Sequence, residues 1–414
     1  MSLGVDKKAH FCHNFDTKMI KRLLFYKLQK YIDSKEAIVI TGMRQVGKTT
    51  LMRQMFEELG TSPKLWFDFD NPIDQKIFED VDYNNIFKRL QNLANSDKFA
   101  VFVDEIQNFP EITKIIKYLI DHYSVKFIVT GSSNYYMKNL FPESLSGRKF
   151  IFDLAPMNFQ EYLYFKESKK IVKVLKYSEL DIDKVVLESN IFDHKKYETY
   201  YNEYLEFGGF PGVVVAKDIE EKKMILKNIF KSFFEKDIKM LNDYSDIREL
   251  RDLILLLVPR VGSMLDISKI ASELGVKRSK IYSYIEFLQG IYIIKLLPKF
   301  SESVDKSIAG GKKVYFSDTG LLRSIGDINE AQTFENTLAN QLSQYGDVSF
   351  YNKRNTSEID FIINKEIAFE AKLTGTEDYL KTLKKLSSSL NINKAFIVSK
   401  HFREEEGIIS PTIF

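Results

Sequence analysis

Four residues near the start of the chain have the types and spacing needed to hold the phosphates of a nucleotide. Gly42, Gly47, Lys48 and Thr49 satisfy G-x-x-x-x-G-K-[ST] between an apolar strand and a helix. Glycines let backbone N–H groups surround a phosphate, the lysine reaches the outer phosphates, and the threonine hydroxyl ligates Mg²⁺. The loop is predicted to bind ATP and Mg²⁺ through its nine residues, namely Gly42, Met43, Arg44, Gln45, Val46, Gly47, Lys48, Thr49 and Thr50.

A second pair of chemical groups follows the apolar run "FAVFVDE", where Asp104 and Glu105 end a predicted strand. Ligands bind outside the carboxyl ends of parallel strands, so this pair is expected to face the loop. Asp104 would hold Mg²⁺ through water, and Glu105 would orient the water that attacks the γ-phosphate. The alternative is an acidic pair that merely ends a strand in a solvated loop.

Two further candidates follow the next predicted strands. "FIVTGSSN" ends in small polar residues suited to sensing the γ-phosphate; Ser132 is the first choice, with Thr130 and Ser133 close behind. Arg148 follows in a loop, where its guanidinium would contact phosphate in its own chain or in a neighbouring copy. A plain surface arginine is an equally good interpretation of Arg148.

The segment "DISKIASELGVKRSKIYSYIEFLQGIYIIKLL" has the order of a winged helix, with two short helices followed by a β-rich tail. The apolar spacing of its second helix predicts packing on the first helix. The opposite face carries basic and hydroxyl groups that would suit a DNA major groove or would simply be solvated. These groups are Lys277, Arg278, Ser279, Lys280 and Tyr282.

Near the C-terminus, acids alternate with apolar residues in two predicted strands. In "SEIDFII" Asp360 lies opposite the apolar face, and in "IAFEAKL" Glu370 and Lys372 do the same. If the strands are neighbours, these groups converge on a divalent-metal site with Asp360 and Glu370 as ligands, and Glu335 could add a fourth group. Such a metal would activate water for phosphodiester cleavage, with Lys372 orienting the water. A half-buried sheet with polar residues facing outward is the alternative.

The candidate nucleotide-binding residues lie in a stretch where predicted helices alternate with short apolar strands. This alternation is typical of a parallel α/β sheet covered by helices. We predict a P-loop sheet domain in residues 1–156, a helical lid or connector in 157–245, a winged helix in 246–325 and a small α/β nuclease-like domain in 326–414. With 414 residues, the chain is long enough for several cores.

Composition argues against a protein drawn to nucleic acid by its net charge and against a membrane protein. The chain has 60 Lys and Arg against 57 Asp and Glu, so any polyanion contact must be local rather than driven by net charge. A single cysteine and the lack of a long apolar run predict a cytoplasmic protein without membrane contact.

The chain resembles prokaryotic AAA+-like ATPases in which a winged helix and a restriction-endonuclease-like PD-(D/E)xK domain follow the P-loop domain. The shared motifs are "GMRQVGKTTL", "VFVDEIQ", "VTGSS", "LSGR", "FGGFPGVV" and "YFSDTGLL", in that order. The resemblance implies ATP and Mg²⁺ at the loop, Asp104 and Glu105, and a nuclease-like core at Asp360, Glu370 and Lys372. The proline of the nuclease motif is absent, since Ile359 precedes the aspartate.

Two functions are compatible with these features. The first is an ATPase whose nucleotide state controls a DNA-binding, metal-dependent nuclease module. The second is a regulatory ATP-binding scaffold whose nuclease-like domain has lost its chemistry and binds a protein or a nucleic acid. The oligomeric state follows from neither.

Overall fold

The first layer of the fold is a five-stranded parallel sheet with strand order β2-β3-β4-β1-β5. The computed structural model describes residues 20–131, 147–167, 183, 186, 189–237, 244–301, 310–353 and 357–414. This sheet confirms the predicted α/β P-loop class. Its strands are β1 Ala37–Thr41, β2 Lys64–Asp68, β3 Ala100–Asp104, β4 Lys126–Thr130 and β5 Lys149–Asp153.

Helices pack against this sheet because its central strands are apolar on both faces. All five residues of β1 and all five of β3 are buried, as expected for strands covered on each side. The helices up to residue 123 are α1 Leu23–Gln29, α2 Lys48–Glu58, α3 Pro72–Lys76, α4 Tyr83–Ala94 and α5 Ile112–Tyr123.

The next part of the chain is helical wherever regular structure is described, in agreement with the predicted connector. Its helices are α6 Phe159–Glu167, α7 Ile191–Phe207, α8 Pro211–Val215, α9 Ile219–Ser232 and α10 Tyr244–Leu257. A π-helical turn, Phe233–Asp237, extends α9.

We call residues 267–316 the winged-helix-like segment. It contains α11 Ile267–Leu274, α12 Arg278–Gly290 and an antiparallel hairpin of β6 Ile294–Pro298 and β7 Lys312–Phe316. The left-handed C-cap Gly275 ends α11 and allows the chain to turn into α12. Two helices followed by a hairpin match the predicted order, and the winged-helix interpretation remains a prediction.

A mixed sheet of strand order β12-β11-β10-β9-β8 forms the C-terminal layer. Strands β8, β9 and β10 are antiparallel neighbours, whereas β10, β11 and β12 run parallel. The elements from residue 319 onward are α13 Thr319–Ile325, α14 Glu330–Leu342, β8 Val348–Lys353, β9 Ser357–Ile363, β10 Ile367–Lys372, α15 Glu377–Ser388, β11 Lys394–Ser399 and β12 Ile408–Ile409.

The buried apolar residues do not separate at the predicted domain borders. The largest cluster begins at Leu24 in α1, includes Leu205 and Ile285, and reaches Phe414. Two smaller clusters lie under α4 and α5 and beside α15. All four predicted domains therefore contribute to the largest cluster, and their borders remain predictions. In the described ranges, no helix has the length and apolar character to cross a membrane.

Candidate nucleotide site and C-terminal carboxylate cluster

The loop between β1 and α2 needs both of its motif glycines, although for different reasons. Gly42 and Gly47 have φ values of 142° and 97°, in the region that favours glycine. A Cβ on Gly42 would lie 2.2 Å from the Leu154 carbonyl oxygen, so this glycine admits the chain that leaves β5. Gly47 is the N-cap of α2 and has no side-chain capping bond, so the first-turn N–H groups remain available to an anion.

Lys48 is 6% exposed, and its ammonium group donates hydrogen bonds to the Gly42 and Met43 carbonyl oxygens, both at 2.9 Å. It thus follows the curve of the loop as the motif requires. The loop lines a cavity of about 440 Å³ that Glu105 and the connector residues Pro211, Gly212 and Ser232 also line. The loop residues in this lining are Arg44, Gln45, Gly47, Lys48, Thr49 and Thr50.

Thr130, the last residue of β4 and a candidate γ-phosphate sensor after Ser132, joins the ends of β3 and β4. The Thr130 hydroxyl donates a hydrogen bond to the Asp104 carboxylate and accepts one from the Glu105 N–H at 3.2 Å. Glu105 has a left-handed backbone with φ 54°, an uncommon conformation for a residue other than glycine. Its carboxylate accepts a hydrogen bond from the Gln107 amide. Ser132 and Ser133 lie outside the described residues.

The donor set at this site suits a magnesium nucleotide. Mg²⁺ prefers oxygen ligands and retains water, so the Thr49 hydroxyl and the Asp104 carboxylate, together with phosphate oxygens, form a suitable set. Thr49 lines the cavity, and Asp104 lies at the carboxyl end of β3 beside Glu105, which also lines it. These two residues are therefore the ones that would hold the ion.

Arg148 directly precedes β5, at the amino-terminal end of the parallel strands, whereas the loop follows the carboxyl-terminal end of β1. Its carbonyl oxygen accepts a hydrogen bond from the N–H of Ala37, the first residue of β1, and its guanidinium contacts Asp121 at 2.6 Å. The loop follows Thr41, the last residue of β1, and so lies one strand length away from Arg148. The structure therefore does not bring Arg148 to the nucleotide site of its own chain, which corrects the interpretation that it acts in cis.

A buried ion pair supports the loop from behind, and no sequence pattern indicated it. Arg22 and Glu161 are 6% and 2% exposed and form a two-point contact at 2.9 and 2.8 Å. The same guanidinium donates to the Val46 and Ala155 carbonyl oxygens, both at 2.8 Å. Arg22 thus ties the start of α1, the loop and the chain after β5 together.

A buried carboxylate fixes the connector next to the cavity. Asp318 accepts hydrogen bonds from the Gly209 N–H at 2.7 Å and the Leu321 N–H at 2.8 Å. Burial raises the pKa of Asp318 to about 6, against the opposing effect of these backbone donors. Gly209 is two residues before Pro211, so this carboxylate positions the segment that lines the nucleotide cavity.

The predicted C-terminal acids do converge. Strands β9 and β10 are antiparallel neighbours, and Asp360 accepts a hydrogen bond from the Ala371 N–H at 3.0 Å. The Glu370 carboxylate accepts one from the Lys372 ammonium at 2.8 Å. Burial, and then the Asp360 charge, raise the pKa values of both Glu335 and Glu370 to about 7. We call Glu335, Glu358, Asp360 and Glu370 the carboxylate cluster.

A lysine that sequence reasoning missed lies inside this cluster. Lys313 of β7 is 3% exposed, and its ammonium nitrogen lies 2.6 Å from Glu358, 3.5 Å from Glu335 and 3.7 Å from Asp360. Among the described residues, no group of three or more His, Cys, Asp or Glu is arranged to hold a metal ion. With Lys313 among them, these acids as arranged do not fit a divalent ion, and the metal site at Asp360 and Glu370 remains a prediction.

The predicted DNA-contacting face of α12 is only partly available. Lys280 contacts Asp246 at 2.8 Å and Glu249 at 2.6 Å, so carboxylates already neutralise its charge. Lys277 and Arg278 at the start of α12 are exposed, as are Ser279 and Tyr282.

Comparison with known proteins identifies the first part of the chain. Residues 34–163 match a family described as an AAA domain. This segment is an AAA-type P-loop ATPase domain. Residues 198–332 match a domain of unknown function, DUF8612, which spans most of the connector and the winged-helix-like segment. These matches do not extend to the C-terminal sheet, so its nuclease-like character remains a hypothesis.

Relatives share the chain beyond its AAA domain. An uncharacterized protein of Methanocaldococcus jannaschii is 28% identical over 372 residues, which cover 86% of this chain and 79% of the relative. One of Haemophilus influenzae is 26% identical over 400 residues, which cover 92% and 93%. Neither name assigns a function.

Solved structures with related folds are more distant. A Walker-type ATPase of Pyrococcus abyssi has a TM-score of 0.44 and 15% identity, covering 73% of this chain and 94% of that chain. The Aeropyrum pernix ORC1 protein, solved in complex with DNA, has a TM-score of 0.33 and 12% identity, covering 76% and 94%.

Proposed function

We propose that this protein hydrolyses ATP at its AAA domain and that its nucleotide state controls how the winged-helix-like segment contacts DNA. The observation that carries the proposal is the lining of the nucleotide cavity. Lys48 and Thr49 of the loop line it together with Pro211, Gly212 and Ser232 of the connector. A nucleotide in this cavity would contact both parts, and its loss or hydrolysis would change that contact.

Each residue has a distinct role in the proposed hydrolysis. Thr49 and Asp104 would hold Mg²⁺, which would neutralise charge on the phosphates. Lys48 binds the outer phosphates, and the α2 N–H groups orient them. Glu105 positions and deprotonates the attacking water. Thr130 holds Asp104 and the Glu105 backbone in register by its two hydrogen bonds.

Support for DNA contact comes from the start of α12. In the described part of the chain, neither Lys277 nor Arg278 forms an ion pair, and both side chains are exposed. Cations in such positions neutralise backbone phosphates, which makes affinity fall steeply with salt. Lys280 is excluded from this role, because Asp246 and Glu249 already neutralise it.

The test measures duplex-DNA binding by fluorescence anisotropy across a salt series, with ATP, ADP or no nucleotide. We expect Lys277→Ala with Arg278→Ala to reduce the salt slope by about 2, one unit for each lost phosphate contact. Lys280→Ala is the matched control and should leave the slope unchanged. Lys48→Ala should abolish the difference between nucleotides; identical binding in all three nucleotide conditions with wild type would refute the proposal.

A second function is favoured by the position of Lys313. Since its ammonium already lies among Glu335, Glu358 and Asp360, the C-terminal domain would serve as a binding scaffold without nuclease chemistry. Plasmid and branched DNA incubated with Mg²⁺ or Mn²⁺, with and without ATP, distinguish the two functions. Metal-dependent cleavage that is lost in both Asp360→Ala and Lys372→Ala supports the nuclease; no cleavage by wild type supports the scaffold.

A further inference from the structure

A second cavity lies behind the nucleotide loop. It has a volume of about 380 Å³ and shares no lining residue with the nucleotide cavity. Its wall combines residues of α1, of the chain after β5, of the connector, of β6 and of α14. Ligand pockets in proteins measure roughly 300–1,000 Å³, so this cavity has room for a small molecule and not for a folded partner.

A lysine of β6 lines this cavity without a partner. In the described ranges, the Lys295 ammonium forms no hydrogen bond and no ion pair. Burial lowers the pKa of Lys295 to about 8, although the charge of Asp153 opposes this effect. Removing a cation from water is costly unless the cation is paired, so an anion in the cavity would supply the missing partner.

The carboxylates in the wall do not take this role, because each already has donors of its own. Asp153 accepts hydrogen bonds from the Thr41 and Tyr292 hydroxyls. Asp318 is held by the two backbone N–H groups described above, and the third acid belongs to the buried ion pair with Arg22. The ammonium of Lys295 therefore remains available to a ligand.

Asn340 of α14 adds a second unsatisfied group to the wall. Its amide nitrogen donates a hydrogen bond to the Phe316 carbonyl oxygen at 2.8 Å, and this contact fixes which end of the amide faces Phe316. In the part of the chain that the structure describes, the Asn340 amide oxygen is buried and accepts no hydrogen bond. Such atoms are rare in native proteins, so the wall lacks a donor as well as an anion.

Apolar side chains complete the chemistry of the cavity. Leu24, Met43, Leu154, Pro156 and Met157 all line it. An apolar wall with a few polar groups is typical of sites for small organic molecules, in which the polar groups fix the orientation of the ligand.

We propose that this cavity binds a small organic anion, which places its apolar body against Met43, Leu154 and Met157 and its carboxylate or phosphate on Lys295. A hydroxyl or amino group of the ligand would supply the donor that Asn340 lacks. Binding requires no nucleotide, and only an effect on ATP rests on the proposed function.

The ligand would contact residues that support the nucleotide loop. Met43 belongs to the loop, and its carbonyl oxygen accepts a hydrogen bond from Lys48 at 2.9 Å. The Leu154 carbonyl oxygen occupies the space that a Cβ on Gly42 would need. A ligand with different affinities for the ATP-bound and ATP-free loop changes ATP affinity, and ATP changes its affinity by the same factor.

The first test titrates phenyl phosphate and benzoate without nucleotide, by ligand-observed NMR, with benzyl alcohol as the neutral analogue. We expect one anion to bind wild type at least roughly tenfold more tightly than benzyl alcohol, because hydrogen bonds between charged groups are the strong ones. The tighter anion identifies the ligand as a phosphate or a carboxylate. Affinities no better than that of benzyl alcohol for both anions overturn the proposal.

The variant Lys295→Met assigns the anion to this cavity, since it keeps an unbranched side chain and removes the ammonium. Anion binding should weaken at least roughly tenfold, while benzyl alcohol binding stays as in wild type. Lys312→Met is the matched control, because Lys312 is exposed on the other strand of the hairpin and does not line the cavity. Unchanged anion affinity in folded Lys295→Met overturns the assignment and places the anion elsewhere, for example at the nucleotide loop.

A further measurement needs only wild-type protein, so it decides the matter even where Lys295→Met does not fold. An amine-reactive ester at pH ~8 labels unprotonated lysines, and mass spectrometry compares Lys295 with Lys312. We expect Lys295 to be labelled in the free protein and protected severalfold by the tighter anion. No labelling of Lys295, or unchanged labelling at saturating anion, overturns the site.

The effect on the loop is measured with a fluorescent ATP analogue, with and without the tighter anion. We expect its affinity to change at least roughly fivefold in wild type and not in Lys295→Met. An effect of the anion that persists in Lys295→Met is competition at the loop and overturns the coupling, as does no effect in wild type. ATP turnover without any anion, measured in parallel, reports separately on the proposed function.

Discussion

Two buried lysines, Lys48 in the nucleotide loop and Lys313 in the hairpin, have opposite surroundings. Lys48 donates to the backbone carbonyl oxygens of Gly42 and Met43, which carry no net charge. Lys313 lies among three carboxylates, which carry full charges. The same functional group thus meets backbone carbonyl oxygens in the loop and carboxylates in the hairpin.

The difference suits Lys48 to exchange its carbonyl contacts for a phosphate, whereas the carboxylates around Lys313 already have a cation as partner. A carbonyl-bound ammonium keeps its positive charge and can transfer its hydrogen bonds to a phosphate at small cost. A carboxylate-bound ammonium in a buried place is costly to remove, because it leaves unpaired charges behind. The predictions below test this contrast, beginning with the largest effect.

Replacing Glu105 with Gln should reduce ATP turnover by about 10²–10⁴-fold, because the amide cannot accept a proton from the attacking water. ATP affinity should change little, since the side-chain shape is retained. Turnover measured by phosphate release and affinity measured with a fluorescent ATP analogue check both parts. Glu111→Gln, on the exposed start of α5, is the control. Turnover near the wild-type rate would remove Glu105 from the mechanism.

Replacing each lysine with Met should separate the two sites directly. Lys48→Met should weaken ATP binding by roughly 10–150-fold, the equivalent of about 1.5–3 kcal/mol for hydrogen bonds to a charged group. Lys313→Met should leave ATP affinity as in wild type, since its ammonium lies among the C-terminal carboxylates and does not line the nucleotide cavity. Displacement of a fluorescent ATP analogue measures both. Equal losses in the two variants would show that the contrast between the sites is wrong.

Asp318 offers a pH test of a buried charge that is held by backbone N–H groups. Its pKa is about 6 in the folded protein, against 3.8 for an exposed aspartate, so the folded state binds the proton more tightly. Its contribution to the free energy of unfolding is therefore largest below pH ~4 and is lost as pH rises towards 6, by ~3 kcal/mol. Urea unfolding of wild type and Asp318→Asn at several pH values measures the difference. A pH-independent difference would contradict it.

The smallest effect concerns the contact between the two regions. Tyr292→Phe removes the hydroxyl that joins Thr41 and Asp153, and should lower the free energy of unfolding by about 1 kcal/mol. Thermal unfolding checks this, with Tyr282→Phe as the control because Tyr282 is exposed. ATP turnover should persist in Tyr292→Phe; its loss would mean that the contact supports the loop itself.

The sequence predicted residues that share a local pattern. Parallel strands end at one edge of a sheet, so Asp104 and Glu105 could be placed near the loop from their strand positions alone. Alternation in β9 and β10 likewise placed Asp360 and Glu370 together. Both predictions rest on periods of two residues and on strand ends, which a single sequence displays.

The partners of these groups could not be predicted, because they come from distant elements. Lys313 is 47 residues before Asp360 in the sequence, and alternation shows that a face is polar without showing which element covers it. Arg22 reaches Glu161 across 139 positions. The contact between Thr130 and Asp104 could not be predicted either, because adjacent polar residues at a strand end are equivalent in pattern; Ser132 as the γ-phosphate sensor remains a prediction.

The apolar cluster that runs from Leu24 to Phe414 has a consequence for how the protein can be taken apart. Phe316 and Leu338 belong to it on either side of the predicted border at residue 325. Cutting the chain there would expose buried apolar side chains on both fragments. The fragments would then aggregate or reassociate rather than fold as independent domains. Transfer of the C-terminal sheet to another protein during evolution would have to include β7, because the apolar side chains of β7 belong to the same cluster as those of the sheet.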